Sequence, residues 1–179
     1  FLKWRANNIS DAFFVLILSV LIGFLSGLAA GLLKFTVISI RDKLFGYYSD
    51  SEQIILLFIL PLIGIFLTVI FLKYIIRDNV GHGVPRILYV ISKLDASMRR
   101  HKVFSSLVGG SLTAGFGGSV GLESPIISTG ASIGSLIGQW LKLGYKHKTL
   151  LIGCGAAGAM ASIFTTPIAA VVFGFEVLL

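Results

Sequence analysis

The chain has 179 residues, of which 55% are hydrophobic and 13% charged, and its mean hydropathy is +0.93. A soluble domain carries about 25% charged residues, so this composition excludes an ordinary water-soluble globule and points to a membrane protein. The net charge of +7 does not signal nucleic-acid binding, because the basic residues sit at the edges of apolar runs, where they set membrane topology.

The first apolar run, Ala12 to Leu33, predicts a long helix over residues 10–40. About 20 such residues cross a bilayer core. The run is too long for a signal peptide and lacks a small-residue cleavage pattern. Gly23, Gly27 and Gly31 recur every four residues and put a smooth stripe on one face, as close helix packing in lipid requires. A second run, Gln53 to Leu72, predicts a helix over 53–77, with Pro61 as a kink. The stretch from Arg41 to Glu52 reads as the loop between them. It sets Arg41 and Lys43 against Asp42, Asp50 and Glu52. Lys73, Arg77, Arg86, Lys93, Arg99, Arg100 and Lys102 cluster after the second run, and Lys3 and Arg5 precede the first. The positive-inside rule therefore places the N-terminus in the cytoplasm and the Arg41–Glu52 loop outside.

Next comes Gly81-His82-Gly83-Val84-Pro85, followed by an apolar piece, Arg86 to Lys93, too short to span. It reads as a partial helix. A helix over 102–116 ends in glycines. Glu123 is the only charged residue between Val103 and Leu141, and it lies in Gly117-Gly118-Ser119-Val120-Gly121-Leu122-Glu123-Ser124-Pro125. A carboxylate in so apolar a stretch is costly unless it meets a partner or water. A helix restarts over 125–141 with a second stripe at Gly130, Gly134 and Gly138. Residues 148–164 form a Gly- and Ala-rich helix, and Pro167 starts a last one over 167–179. The run Thr149 to Phe175 is too long for one upright span and is broken by Thr165-Thr166-Pro167. Cys154 stands alone, so an internal disulfide is excluded and packing is its expected role. Trp4, Tyr47, Tyr48 and Trp140 sit near segment ends, as interfacial anchors do. The chain begins with Phe1 and stops inside an apolar run, as a piece of a longer protein would.

The recurring device is Gly and Pro followed by a helix. Proline suits the first turn, where its missing N–H costs nothing. Helix starts carry about half a positive charge and attract anions. Two such starts inside a membrane, after Pro85 and after Pro125, make an anion site without a buried lysine. Broken helices of this kind are typical of transporters built from inverted repeats. Irregular backbone at that depth is tolerated only inside protein or along a water-filled cavity. The bare pattern of a broken helix and a lone acid also suits a cation-coupled transporter, with Glu123 binding Na⁺ or H⁺. Catalysis is not expected. HExxH is absent, and His82, His101 and His147 are scattered without metal-ligand spacing. No metal or other cofactor is expected.

Gly81-His82-Gly83-Val84-Pro85 resembles the G-S-G-I-P motif of the CLC chloride channel and transporter family. Gly121-Leu122-Glu123-Ser124-Pro125 resembles that family's G-(K/R)-E-G-P. Gly155-Ala156-Ala157-Gly158, Phe164-Thr165-Thr166-Pro167 and Phe173-Gly174-Phe175-Glu176 resemble its G-A-A-A-G…F-x-A-P-x-x-G-x-x-F-x-x-E segment. Three motifs in order are a specific signal where one would be weak.

The resemblance implies an all-α, multi-pass integral membrane fold, with residues 1–179 as the first of two inverted halves, rich in broken and partial helices. In a bacterium the location would be the inner membrane. It implies a homodimer with one path per subunit for chloride or another small anion. The second half would complete the site with a G-x-F-x-P helix start and a tyrosine. The implied anion-binding positions are Gly81, His82, Gly83, Val84, Pro85, Gly121, Leu122, Ser124 and Pro125. Glu123 falls on the family's gating glutamate, which occupies an anion site or swings away. The alternative for Glu123 is a structural glutamate bonded to backbone.

Three positions depart from the motifs. His82 stands where the family has an anion-binding serine; it either lines the path, since imidazole also donates a hydrogen bond, or is a turn histidine at the cytoplasmic mouth. Leu122 replaces a basic residue, which weakens anion attraction at the outer mouth. Ser124 replaces a glycine and either donates to the anion or caps the helix. Further on, Val177 occupies the position of an inner, proton-passing glutamate of the family's exchangers, so one relay point is absent. Glu176 matches a glutamate read as structural. The expected function is a voltage- or pH-gated anion channel; the alternative is a proton-coupled anion exchanger, including a fluoride exporter.

Overall fold

The computed structural model describes residues 11–46, 50–76 and 83–178. Among these residues the secondary structure is helical. Helix α1 spans Asp11–Phe45 and α2 spans Asp50–Ile70, continuing as a π-helical turn over Phe71–Ile76. Then come α3 (Val84–Lys93), α4 (Lys102–Gly115), α5 (Glu123–Trp140), α6 (Tyr145–Phe164) and α7 (Pro167–Phe173), which runs into π-helical Gly174–Leu178. The expected elements are all present. The stretch from Arg41 to Glu52 is mostly helix and not loop, because α1 runs on to Phe45 and α2 begins at Asp50. Lys43 lies in the last turn of α1, where a cation favours the helix by meeting its negative end. Pro61 lies inside α2, which continues through it to Ile70. Two helical stretches, Asp11–Leu44 and Phe58–Ile76, are long and apolar enough to cross a membrane.

Helices α5 and α6 form the centre, with α1 packed along both. Their contact is made by backbone. A Cβ on Gly130 would run into the Gly155 carbonyl, and one on Gly134 into the carbonyl of Leu151. The second glycine stripe is therefore a helix–helix seam, as small residues provide in membranes. The first stripe is divided. A Cβ on Gly158 of α6 would stand 2.9 Å from the Gly23 Cα, and Ser162 Oγ donates to the Gly27 carbonyl at 3.1 Å, whereas Gly31 has open space. The apolar core gathers Ala30 and Leu33 of α1, Ile87 of α3, Ile126 of α5 and Ile152 and Ala156 of α6. Phe24, Phe35, Phe58, Phe66 and Leu62 point outward and are exposed, the surface that suits lipid contact.

Helix α4 ends by a left-handed turn. Gly117 has φ 86°, its N–H donates to the Ala114 carbonyl at 3.1 Å, and the Gly118 N–H donates to that of Thr113 at 2.9 Å. This pair of bonds is the Schellman C-cap, which glycine adopts without strain. It turns the chain back so that α5 begins six residues later, at Glu123.

Candidate functional site: two helix starts joined by serines

The starts of α3 and α5 meet. The Gly83 N–H donates to Ser128 Oγ, in the second turn of α5, at 3.0 Å. A Cβ on Gly83 would stand 2.9 Å from Ser124 Oγ. Gly83 has φ 82° and is buried. Glycine is needed there twice over: for the left-handed backbone and for the room.

Neither helix start has a side-chain cap. The first intrahelical bonds run from Ile87 N–H to Gly83 O at 3.3 Å and from Ile126 N–H to Leu122 O at 3.2 Å. The N–H groups before them, at Val84 and Arg86 in α3 and at Glu123 and Ser124 in α5, head the positive ends of the helices. Pro85 sits in the first turn of α3. Capping by Ser124, one of its two expected roles, is not realised.

Helix α5 begins at Glu123, two residues earlier than the proline alone suggested. The carboxylate is therefore in the first turn, where negative charge is favoured. Its side chain is exposed on the described chain, and the carboxyl carbon lies 3.9 Å from where a Gly121 Cβ would be. Leu122 packs with Val84 against the core. Pro125 is buried, and a Cβ on Gly110 of α4 would stand 2.8 Å from its ring. The structure thus brings Gly83, Val84, Gly121, Leu122, Glu123, Ser124 and Pro125 to one region. Gly81 and His82 lie outside the described residues. Val177 is in the π-helical segment after α7, and its side chain lies outside them too.

Sequence reasoning missed the polar residues that hold this region. Ser128, Ser132, Ser135 and Gln139 line one face of α5. Ser135 Oγ donates to the Ala96 carbonyl at 2.7 Å and accepts the Met98 N–H at 2.8 Å. Gln139 Nε2 donates to the Met98 carbonyl at 2.9 Å. From α6, Lys148 Nζ donates to the Asp95 carboxylate at 2.5 Å and to the Asp95 carbonyl at 2.8 Å. These bonds clamp the loop after α3, where Asp95 and Ala96 both have positive φ, 49° and 53°. Side-chain hydrogen bonds of this kind join helices in lipid. The available signal was the spacing of Ser128, Ser132, Ser135 and Gln139 in an apolar helix, which puts all four on one stripe.

Residues 63–179 match the family model described as voltage gated chloride channel. The chain is 33% identical to the chloride channel protein CLC-c of Arabidopsis thaliana over 54% of its length, and 27% identical to CLC-a of the same plant over 97%. It spans 14% and 26% of those proteins. A solved structure of a CLC-type fluoride/proton antiporter matches with a TM-score of 0.74 and 30% identity, covering 93% of this chain and 40% of the antiporter chain. The helical order, the paired helix starts and these matches agree: the chain belongs to the voltage gated chloride channel family, the CLC family.

Proposed function

We propose that this chain supplies the first of two inverted halves of a CLC-type membrane domain, and with it one side of an anion path. The observation that carries this is the bond from Gly83 N–H to Ser128 Oγ at 3.0 Å. It holds two uncapped helix starts side by side, and their summed partial charges suit a small anion such as chloride. The anion-binding positions are Gly81 to Pro85 from the first motif, with His82 as a donor, and Gly121, Leu122, Ser124 and Pro125 from the second. Leu122 contributes backbone only.

Glu123 is the gate on this reading. A carboxylate and a halide compete for the same helix-start N–H groups, so the side chain blocks the path when it sits there and opens it when displaced. Its place in the first turn of α5 supports that competition. The second half completes the site, and the protein works as a homodimer without a cofactor or nucleic-acid partner.

Passive, gated conduction is the reading favoured by Val177, which cannot carry a proton. A second reading, proton-coupled exchange, is favoured by the likeness to the fluoride/proton antiporter. Full-length protein in liposomes separates them. Anion efflux without proton uptake supports the channel; uptake in fixed ratio to efflux supports the exchanger; absence of anion flux contradicts both.

A further inference from the structure

Between one face of α3 and the start of α4 lies a cavity of about 280 Å³. Arg86, Val90 and Leu94 line one side of it, four residues apart on a single stripe of α3. Met98, Arg99 and Lys102 line the other. Three cations thus share a cavity with three apolar side chains, and no acid lines it. Lys102, the first residue of α4, is buried.

The cavity lies at one end of the helix bundle. The connection that closes it is tied to the end of α5 by Ser135 and Gln139, and to the first turn of α6 by Lys148. Trp140 ends α5 and Tyr145 opens α6, and they are 68% and 46% exposed, as aromatic side chains at a membrane–water boundary are. Residues 93–102 and 142–148 bring seven Lys and Arg to this end against one acid, Asp95, which Lys148 already bonds. So basic an end belongs on the cytoplasmic side, where the leaflet is rich in anionic lipid.

We propose that this cavity holds the phosphate of an anionic phospholipid from the cytoplasmic leaflet. The phosphodiester sits among Arg86, Arg99 and Lys102, and the glycerol and upper acyl chain lie along Val90, Leu94 and Met98. Arg99 and Lys102 are already engaged, and the Arg86 guanidinium stacks on Tyr89, 5.4 Å from the ring centre. A guanidinium has five donors and an ammonium three, so each retains capacity for a phosphate oxygen. The apolar side chains favour a lipid over a soluble phosphate compound. Basic pockets between membrane helices on the cytoplasmic side suit anionic headgroups. No residue of α5 lines the cavity, and the proposal does not depend on whether Glu123 gates.

The test reads the melting midpoint of full-length protein in detergent with added dihexanoyl phosphatidylglycerol, dihexanoyl phosphatidylcholine or inorganic phosphate. Expected is a saturable rise with phosphatidylglycerol, larger than with either of the others. Arg99→Gln should weaken phosphatidylglycerol binding about tenfold, the effect of one charged hydrogen bond. Arg100→Gln, the same loss of charge outside the lining, should leave it unchanged. A structure in phosphatidylglycerol nanodiscs must show a lipid phosphate against Arg86 or Arg99, even should Arg99→Gln not assemble. Equal shifts from the two lipids, or equal losses in the two variants, overturn the pocket in favour of a diffuse basic face. Inorganic phosphate as effective as the lipid overturns the lipid as occupant. A cavity filled by the rest of the full-length protein overturns the site itself.

Discussion

The backbone N–H of Gly83 and the hydroxyl of Ser128 are 3.0 Å apart, and this bond registers the start of α3 against the second turn of α5. Both partners are buried. Removing the acceptor in Ser128→Ala leaves a buried N–H unpaired, which costs about 1–3 kcal/mol. Thermal unfolding in detergent should show that loss, and anion affinity in the full-length protein should fall with it. An unchanged midpoint would mean that water replaces the hydroxyl.

Gly83→Ala is expected to cost more than a generic glycine replacement. The Gly83 backbone, at φ 82° and ψ −168°, lies in a region that costs a non-glycine residue about 1–3 kcal/mol, and the new Cβ stands 2.9 Å from Ser124 Oγ. The double variant Gly83→Ala/Ser124→Ala removes the collision and keeps the backbone strain. Its stability should lie between Gly83→Ala and Ser124→Ala. A double variant as unstable as Gly83→Ala would show that backbone strain alone sets the cost.

The seam between α5 and α6 predicts a packing defect. In Gly134→Ala the methyl group meets the Leu151 carbonyl, which backbone movement alone relieves. Overpacking of this kind costs about 1–3 kcal/mol or more. Gly31→Ala, inside α1 with open space around it, should be neutral or stabilising by up to about 1 kcal/mol, since alanine is the better helix former. Size-exclusion profiles and melting midpoints of the two variants make the comparison.

Lys148 and Asp95 predict an asymmetry. Lys148 Nζ bonds both the carboxylate and the carbonyl of Asp95, with side-chain exposures of 9% and 68%. Lys148→Met removes both of these bonds and leaves the loop, with two residues at positive φ, held by Ser135 and Gln139, at a cost of about 1–3 kcal/mol. Asp95→Asn keeps the carbonyl bond, and its carboxylate was mostly solvated, so about 0–1 kcal/mol is expected. Equal losses in denaturant midpoints would contradict this division.

Much of the fold was legible in the sequence because the apolar runs and the glycine and proline breaks are sharp. Pro85 and Pro167 sit in helix first turns as expected. The Arg41–Glu52 stretch was misread, because charged residues at helix ends look like loop residues when only hydropathy is followed. Glu123 was legible as a lone acid, but its place as the first residue of α5 was not. Proline marks the first turn without fixing which residue opens it. The serine stripe of α5 was hidden for another reason: short hydroxyl side chains barely change an apolar run, and their partners, Gly83, Ala96 and Met98, are far away in sequence.

The central claim is that Glu123 gates an anion path, and Glu123→Gln in the full-length protein tests it most directly. The amide keeps the shape and loses the charge that competes with the anion. Anion efflux from liposomes should become faster at neutral pH and lose its dependence on pH. Efflux with the wild-type rate and the wild-type pH dependence would contradict the assignment.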